Sequence, residues 1–388
     1  MRTEILGRSP GDDVDTAAAT DTYAGRLGHH RARDGSRGAP VAVDLDRPHA
    51  GLVVGKRGYG KSYTLGVLAE AAARTPGLAP VVVDPMGIFG GLAAEVGDDA
   101  APVPATILTA PAIRADAIPP ERWPALVGAD ADDPVGALVW HAASAAATLR
   151  EMRAVVADAD ATPATVRAAS NRLQRAAAWD VFDPEGLDAR TFAGGEATVL
   201  DCSGLDDAPA NAVVAGAAAA LYRARVGDGG RGPQDARRTI DRLPWLLVDE
   251  AHTFVSGVAG APLRRILTRG RAPGVSLVVA TQRPSALPDV AVSQSDLRIV
   301  HRLTAGPDLD ALTAADPMYL DDDVTQTLPA APGEALVIDD TAEAVRTVAI
   351  RERDTPHGGD SPRASAGTPD RSASTSEPQP DPTETDRN

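Results

Sequence analysis

Short, continuous apolar runs alternate along the chain with longer segments in which apolar residues recur every three or four positions. The runs predict strands buried on both faces, because a half-exposed strand would alternate apolar and polar residues. The longer segments predict helices. The runs lie at 52–54, 80–84, 197–202, 243–250, 275–281 and 297–303. Strands that alternate with helices in this way predict an α/β fold with a mostly parallel sheet covered on both faces.

The predicted core of the chain spans residues 41–351. It begins with an edge strand at 41–45. Apolar residues at helical spacing predict a helical insertion at about 115–195, between two strands of the sheet. Two further runs, 335–339 and 344–350, are predicted to pair as a terminal hairpin.

Both ends of the chain lack an apolar period. We predict that residues 1–40 form a disordered basic arm and that residues 352–388 form a disordered acidic tail. A solvated tail is the simpler interpretation of the arm, and a segment that touches DNA is the alternative. The basic residues of the arm are Arg26, Arg31, Arg33 and Arg37, beside His29 and His30.

A glycine-rich loop follows the first buried run and precedes a predicted helix. Residues 55–62 read GKRGYGKS. In this strand, loop and helix context, G-x-x-x-x-G-K-S indicates a phosphate site. Loop N–H groups and the helix N-terminus bind phosphate, Lys61 reaches the β- and γ-phosphates, and Ser62 ligates Mg²⁺. The alternative is a chance glycine-rich turn. The residues predicted to bind ATP are Gly55, Lys56, Arg57, Gly58, Tyr59, Gly60, Lys61, Ser62 and Tyr63. Lys56 and Lys61 are the only lysines of the chain.

Two adjacent acids end a later buried run. The carboxyl ends of parallel strands meet at one edge of a sheet, so Asp249 is predicted to hold Mg²⁺ together with Ser62. Glu250 is predicted to polarise the water that attacks the γ-phosphate. Gln282 ends the neighbouring run, where its amide is predicted to contact the γ-phosphate or that water. The alternative for these residues is an ordinary polar strand end.

Charge on the transferred phosphoryl group also requires an arginine, which a neighbouring subunit frequently supplies. The residue pattern alone does not rank the candidates. They are Arg269, Arg271, Arg298 and Arg302.

Composition narrows the setting in which the protein works. The chain has 388 residues, of which 43% are hydrophobic, and a net charge of -16. Together with the near-absence of lysine, the charge suggests the salty cytosol of a halophile. The single cysteine, Cys202, excludes an internal disulfide and is expected to be a core residue. With no signal peptide and no apolar run of membrane length, we expect a soluble, cytoplasmic protein with no membrane partner.

The motifs together resemble those of the HerA/FtsK group of hexameric DNA-pumping ATPases, and HerA in particular. The resemblance covers about residues 45–350. Its most specific parts are LLVDEAH at 246–252 and SLVVATQRPSALP at 276–288, with support from 84–87 and 199–212. It implies a RecA-like P-loop NTPase core, a homohexameric ring, ATP and Mg²⁺, double-stranded DNA in the pore and a NurA-like nuclease partner.

By the same resemblance, Arg298 reaches into the site of the next subunit. The roles argued above are implied for Lys61, Ser62, Asp249, Glu250 and Gln282. HerA-type chains usually carry a β-barrel before the phosphate loop. The residues that precede Gly51 are too few for a barrel beside a disordered arm, so we expect none.

Three other interpretations remain. Residues 249–252 spell the DEAH box of another helicase class. That class needs a second RecA domain after the box, and too few ordered residues follow here. His252 is therefore interpreted as a helix-start residue. A P-loop ATPase that does not act on DNA, such as a conjugation or secretion motor or a regulatory NTPase, fits the acidic composition. A defence or mobile-element ATPase with the same core is the third.

Overall fold

Each of the buried apolar runs forms a strand. The computed structural model describes residues 2–8, 22–32, 34–96, 101–227, 240–314 and 327–359. The strands are β1 (Glu4–Leu6), β2 (Ala24–Arg31), β3 (Arg37–Asp44), β4 (Ala50–Val54), β5 (Leu78–Asp84), β6 (Ala105–Leu108), β7 (Ala197–Asp201), β8 (Leu243–Val248), β9 (Ser276–Thr281), β10 (Leu297–Val300), β11 (Glu334–Asp339) and β12 (Ala344–Ile350).

Helices connect most of the parallel strands. They are α1 (Lys61–Arg74), α2 (Trp123–Leu126), α3 (Pro134–Ala145), α4 (Leu149–Ala157), α5 (Pro163–Ala177), α6 (Asp207–Val226), α7 (Gly260–Arg269), α8 (Asp289–Ser293) and α9 (Gly306–Thr313). Within the described part of the chain, no helix is long and apolar enough to cross a membrane.

All twelve strands belong to one sheet, in the order β1-β3-β2-β12-β11-β10-β4-β9-β8-β5-β7-β6. From β10 to β6 every pair of neighbours is parallel. β11 and β12 form the predicted antiparallel hairpin. The predicted α/β fold with a mostly parallel sheet is therefore confirmed, and the continuous apolar runs are its central strands.

Two cores cover the two faces of the sheet, since successive strand residues point to opposite sides. Val53, Val82 and Leu247 face the side on which α1 packs. Their neighbours Val54 and Val83 face the other side, with α6, α7 and the helices between β6 and β7. Full burial of each such side chain contributes roughly 1.5–3 kcal/mol to the stability of the fold. The loops at the carboxyl ends of the strands are therefore attached to a well-packed sheet.

The segment between β6 and β7 is helical, as the apolar spacing predicts. α3, α4 and α5 pack against one another there. A capping box begins α4, because the Thr148 side chain accepts from the Glu151 N–H and the Glu151 carboxylate accepts from the Thr148 N–H. These helices bury Met152 and Leu173 against the core beneath the sheet.

The expected disordered arm is wrong for the residues that the structure describes. Ala24–Arg31 and Arg37–Asp44 form strands β2 and β3, and Leu27 and Val41 are fully buried. β2 pairs with β12, more than 300 positions away in the chain, so local sequence alone carries little sign of it. Residues 9–21 and Arg33 lie outside the described residues.

The core also extends past its predicted end at residue 351. Residues 351–358 lie across α1, where Arg353 and Thr355 contact the buried carboxylate of Glu70. The expectation of disorder is therefore wrong for this segment, because a buried acid on α1 holds it in place. The remainder of the predicted tail, residues 360–388, lies outside the described residues.

Candidate active site

The phosphate loop joins β4 to α1. Gly58 and Gly60 have φ angles of 80° and 108°, in the left-handed region that favours glycine. Gly60 is the residue that caps the start of α1, so the first N–H groups of the helix face the loop. Among the described residues, no heavy atom lies within 4 Å of the position that a side chain at Gly58 would occupy. The loop has the open backbone that phosphate binding requires.

Strand order brings the predicted residues to one place. β4, β9 and β8 are neighbours in the sheet. The loop follows β4, Gln282 follows β9, and Asp249 follows β8, all at the carboxyl ends of parallel strands. At the usual strand spacing, the loop and the acids are about 10 Å apart in the sheet, a gap that long side chains bridge.

Lys61 bridges that gap. Its side chain is nearly buried, with 5% of the residue exposed, and Nζ donates to the Lys56 carbonyl at 3.4 Å. Burial lowers the pKa of Lys61, whereas the carboxylates of Glu250 and Asp249 raise it. The lysine and the paired acids, far apart in sequence, therefore form one electrostatic cluster.

Asp249 is fully buried directly after β8. The Ser62 side chain lies beside its carboxylate and acts to lower its pKa, and Oδ1 accepts from the Glu250 N–H at 3.0 Å. Burial raises the pKa of Asp249 to about 6. Oδ2 is buried and has no hydrogen-bond partner among the described residues. An orphaned carboxylate oxygen beside a serine hydroxyl is a donor set that fits Mg²⁺.

Glu250 has a strained backbone. Its φ of 44° lies in the left-handed region, which costs a residue with a side chain roughly 1–2 kcal/mol. Burial raises the pKa of Glu250, while Lys61 and the nearby Gln282 backbone oppose that shift. A carboxylate whose pKa is raised toward neutrality is better suited to accept a proton.

Gln282 thus meets Glu250 through its backbone. The side chain is half-buried beside the site, and its predicted contact with the γ-phosphate stays a prediction.

His252 also lies at the site, although its sequence pattern indicated only a helix start. Its Nδ1 lies 3.3 Å from Glu250 Oε2 and 3.2 Å from Thr281 Oγ1. His252 therefore links the proposed base to the end of β9.

The arginine candidates lie at opposite edges of the sheet. Arg298 is 2% exposed and donates to Asp340 at 2.6 Å, near the start of β10 and away from the loop. That edge faces away from the phosphate loop of the same chain, and the role implied for Arg298 in a neighbouring site stays a prediction. Arg269 and Arg271 precede β9, also at the far edge. Arg302 follows β10 beside the loop, where its carbonyl accepts from the Lys56 N–H at 2.7 Å.

His301 supports the loop and carries no motif. Its Nδ1 donates to the Glu334 carbonyl, and Nε2 accepts from Thr64 Oγ1 of α1, both at 2.9 Å. A side chain at Gly55 would come within 2.6 Å of the His301 Cβ. Burial lowers the pKa of His301 to about 4, so the ring is neutral at physiological pH. His301 lies within the predicted run 297–303, and no sequence pattern indicated this role.

The parallel sheet, the glycine loop and the acids at the ends of neighbouring strands define a RecA-like P-loop NTPase fold. VirB4 of Thermoanaerobacter pseudethanolicus is similar in structure, with a TM-score of 0.63 and 19% identity over 84% of this chain and 96% of that one. The bacterial conjugative coupling protein TrwBΔN70, in its unbound monoclinic form, gives a TM-score of 0.53 and 15% identity over 83% and 88%. Identities this low establish a shared fold.

No protein-family model matches the sequence, and no curated protein sequence matches it either.

Proposed function

We propose that the chain is an ATP-hydrolysing motor of the HerA type that moves double-stranded DNA. The observation that carries the ATPase part is the cluster in which Ser62 contacts buried Asp249 while Lys61 interacts with Asp249 and Glu250. Motifs predicted these residues separately, and strand order brings them together.

Each residue of the cluster has a distinct task. Loop N–H groups and Lys61 hold the β- and γ-phosphates, and Ser62 and Asp249 hold Mg²⁺. Bound Mg²⁺ supplies positive charge that balances the phosphates and keeps Asp249 ionised. Glu250 accepts a proton from the attacking water, and Gln282 orients that water. His252 lies beside the base, 3.3 Å from Glu250 Oε2, an oxygen that forms no hydrogen bond within the described residues.

The proposed track is duplex DNA and the proposed assembly is a homohexamer. The resemblance of the GKRGYGKS, LLVDEAH and TQRPS segments to HerA-type ATPases supports both. Arg302, beside the loop at the open edge of the sheet, is the arginine that we propose for the neighbouring site. We prefer it to Arg298, which is buried in its ion pair with Asp340.

A conjugation- or secretion-type motor is the second candidate. It is favoured by the structural similarity to VirB4, which covers 96% of that protein, and by the similarity to a conjugative coupling protein. A motor that moves DNA is expected to hydrolyse ATP faster when duplex DNA is added, whereas a motor that moves protein is not.

The test measures ATP hydrolysis and ATP binding separately. Lys61→Ala is expected to abolish nucleotide binding or hydrolysis, because the phosphates lose their cation. Glu250→Gln is expected to bind ATP normally and to lower kcat by about 10² to 10⁴-fold, because the water loses its base. Glu95→Gln, an exposed change of the same kind, is the control.

Parental turnover in the Glu250→Gln variant would refute the role of that residue as base. Unchanged ATP hydrolysis in the Lys61→Ala variant would refute the site as a whole. If the parent hydrolyses ATP and duplex DNA does not accelerate it at any salt concentration, the second candidate function is preferred.

A further inference from the structure

A basic cleft lies between β2, β3 and the end of β12. It encloses a cavity of about 530 Å³. Its charged and polar lining consists of Arg26, His29, His30, Arg31, Arg37, Arg351, Glu352 and Asp354. Sequence patterns placed several of these residues in a disordered arm. The fold instead fixes them on the surface of two strands, in a chain whose net charge is -16.

Arg26 and Arg37 converge on one imidazole. The Arg37 guanidinium lies 2.6 Å from His29 Nε2, and that of Arg26 lies 3.5 Å from the same atom. Burial, Arg37 and Arg26 all lower the pKa of His29, so the imidazole is neutral and balances neither charge. Within the described residues, neither arginine forms an ion pair with an acid.

Two other arginines of the cleft are already balanced, whereas Glu352, which also lines it, forms no ion pair within the described residues. Arg31 pairs with Glu334 at 2.8 Å, and Arg351 pairs with Glu70 at 2.8 Å. Arg31 also lies directly opposite Arg37 in the β2 and β3 register. Like charges that face each other across a strand pair are destabilising, so the folded chain holds these arginines together at some loss of stability. Arg26 and Arg37 therefore carry the positive charge that has no paired acid, and it exceeds the single negative charge of Glu352.

The cleft is connected to the phosphate loop. Ile350, which lines the cleft, donates its N–H to the Gly333 carbonyl at 2.9 Å. The Gly333 N–H in turn donates to the Tyr59 carbonyl in the loop at 3.4 Å. The cleft and the phosphate loop are therefore linked through two backbone hydrogen bonds of Gly333.

We propose that the basic cleft binds phosphate groups of a nucleic-acid backbone through Arg26 and Arg37. The proposal rests on the proposed function, in which DNA is the track, and adds a contact on β2 and β3 to it. Guanidinium groups bind phosphate oxygens in pairs, and their uncompensated charge attracts a polyanion. Backbone contacts of this kind give affinity without sequence preference.

The test compares duplex binding by Arg26→Gln/Arg37→Gln with that by Arg150→Gln/Arg153→Gln. The control removes the same charge from exposed positions on α4. Affinity for a labelled duplex is measured by fluorescence anisotropy between about 50 and 300 mM salt, where counterion release governs binding. We expect the cleft variant to bind at least about tenfold more weakly, and the slope of log affinity against log salt to fall by about one to two. The control is expected to match the parent.

Two further measurements make the outcome unambiguous. ATP hydrolysis without DNA is expected to stay at the parental rate, and the cleft variant is expected to unfold at the same or a higher temperature, because like charges are removed. A loss of stability would contradict the argument from uncompensated charge. Arg26→Lys/Arg37→Lys, which keeps the charge and loses the paired geometry, is expected to bind with intermediate affinity.

The outcomes separate the cleft from the proposed function. Parental duplex affinity in Arg26→Gln/Arg37→Gln, with the parent binding DNA, would overturn the cleft alone. A parent that hydrolyses ATP and binds no duplex would overturn the DNA track together with the cleft. Binding of inorganic phosphate that is lost in Arg26→Gln/Arg37→Gln, together with parental duplex affinity in that variant, would assign the cleft to free phosphate and overturn the nucleic-acid proposal.

Discussion

Asp249 holds its proton more tightly in the folded chain than in the unfolded one. Burial raises its pKa from 3.8 to about 6. Between those two values the unfolded chain has released a proton that the folded chain still holds, so stability falls as pH rises through this window. Above about pH 6 the folded protein carries a buried charge whose balance is incomplete without Mg²⁺.

Asp249→Asn is expected to stabilise the nucleotide-free protein at pH 7, by up to about 3 kcal/mol, because the amide carries no charge to bury. Below about pH 4 the variant and the parent are expected to unfold alike. Denaturant unfolding in a chelator across this pH range measures both limits. Asp310→Asn, at an exposed position, is the control, and equal stability at pH 7 would contradict the assignment.

His301 is expected to position the loop without touching the nucleotide. His301→Ala removes its hydrogen bonds to Thr64 and Glu334 and leaves space beneath Gly55, so the Kd for ATP is expected to rise about tenfold. Calorimetric titration measures that Kd, and His141→Ala, at an exposed position on α3, is the control. Since the ring is neutral above about pH 4, a dependence of ATP affinity on its titration near pH 6.5 would count against this role.

The residues that belong to a motif were predictable from the sequence. The residues that contact and position them were not. Lys61, Ser62, Asp249 and Glu250 each belong to a local pattern that phosphate chemistry requires, and parallel strands predicted that they would meet. His252 and His301 act through contacts to Thr281, Thr64 and Glu334 that no local pattern contains. The ion pair between buried Arg298 and partly exposed Asp340 was likewise not predictable, because a resemblance to a family position says nothing about it.

Among the elements, the central strands were predictable because burial on both faces leaves a continuous apolar run. β2 was not, since its sequence AGRLGHHR has neither a run nor an alternation. It pairs with β3 on one side and with β12 on the other, and at Gly28 a side chain would come within 2.0 Å of the Ala349 carbonyl oxygen. Glycine permits a close approach of two strands that only the assembled sheet reveals.

A buried acid on α1 makes several of the contacts that hold the segment 351–358 to that helix. Glu70 is fully buried and accepts from Arg351 at 2.8 Å, from the Thr355 N–H at 3.0 Å and from Thr355 Oγ1 at 2.6 Å. Arg353 also contacts it at 3.5 Å. Because α1 begins in the phosphate loop, this network ties the end of the described chain to the nucleotide site.

Glu70→Gln is expected to destabilise the protein by about 3 kcal/mol, because Arg353 and Arg351 lose their shared counter-charge in a buried setting. Thermal or denaturant unfolding measures the change, and limited proteolysis should cut the 351–358 segment sooner. Glu185→Gln, an exposed substitution, controls for the altered net charge. Stability equal to that of the control would mean that the network contributes nothing net.

At the scale of the whole molecule, the charge of -16 opposes assembly, since subunits of a ring repel one another. Salt screens that repulsion over about 8–10 Å near physiological strength and over shorter distances in concentrated salt. Assembly of the proposed homohexamer is therefore favoured by high salt, whereas duplex binding is weakened by it. A site shared between subunits should therefore be tested at a salt concentration at which sedimentation shows that the ring is assembled.

Arg302→Ala is expected to lower ATP hydrolysis by about 10³-fold or more if this arginine completes a neighbouring site. The decisive experiment mixes that variant with Lys61→Ala subunits, each inactive alone. In a mixed ring, some sites combine an intact Lys61 from one subunit with an intact Arg302 from the next, so partial activity returns. If Arg302 serves its own subunit, both residues are never intact in one site, and the mixture stays inactive. Arg298→Ala removes a buried, ion-paired side chain that lies away from the loop. This variant is therefore expected to be less stable than the parent and to show no such rescue.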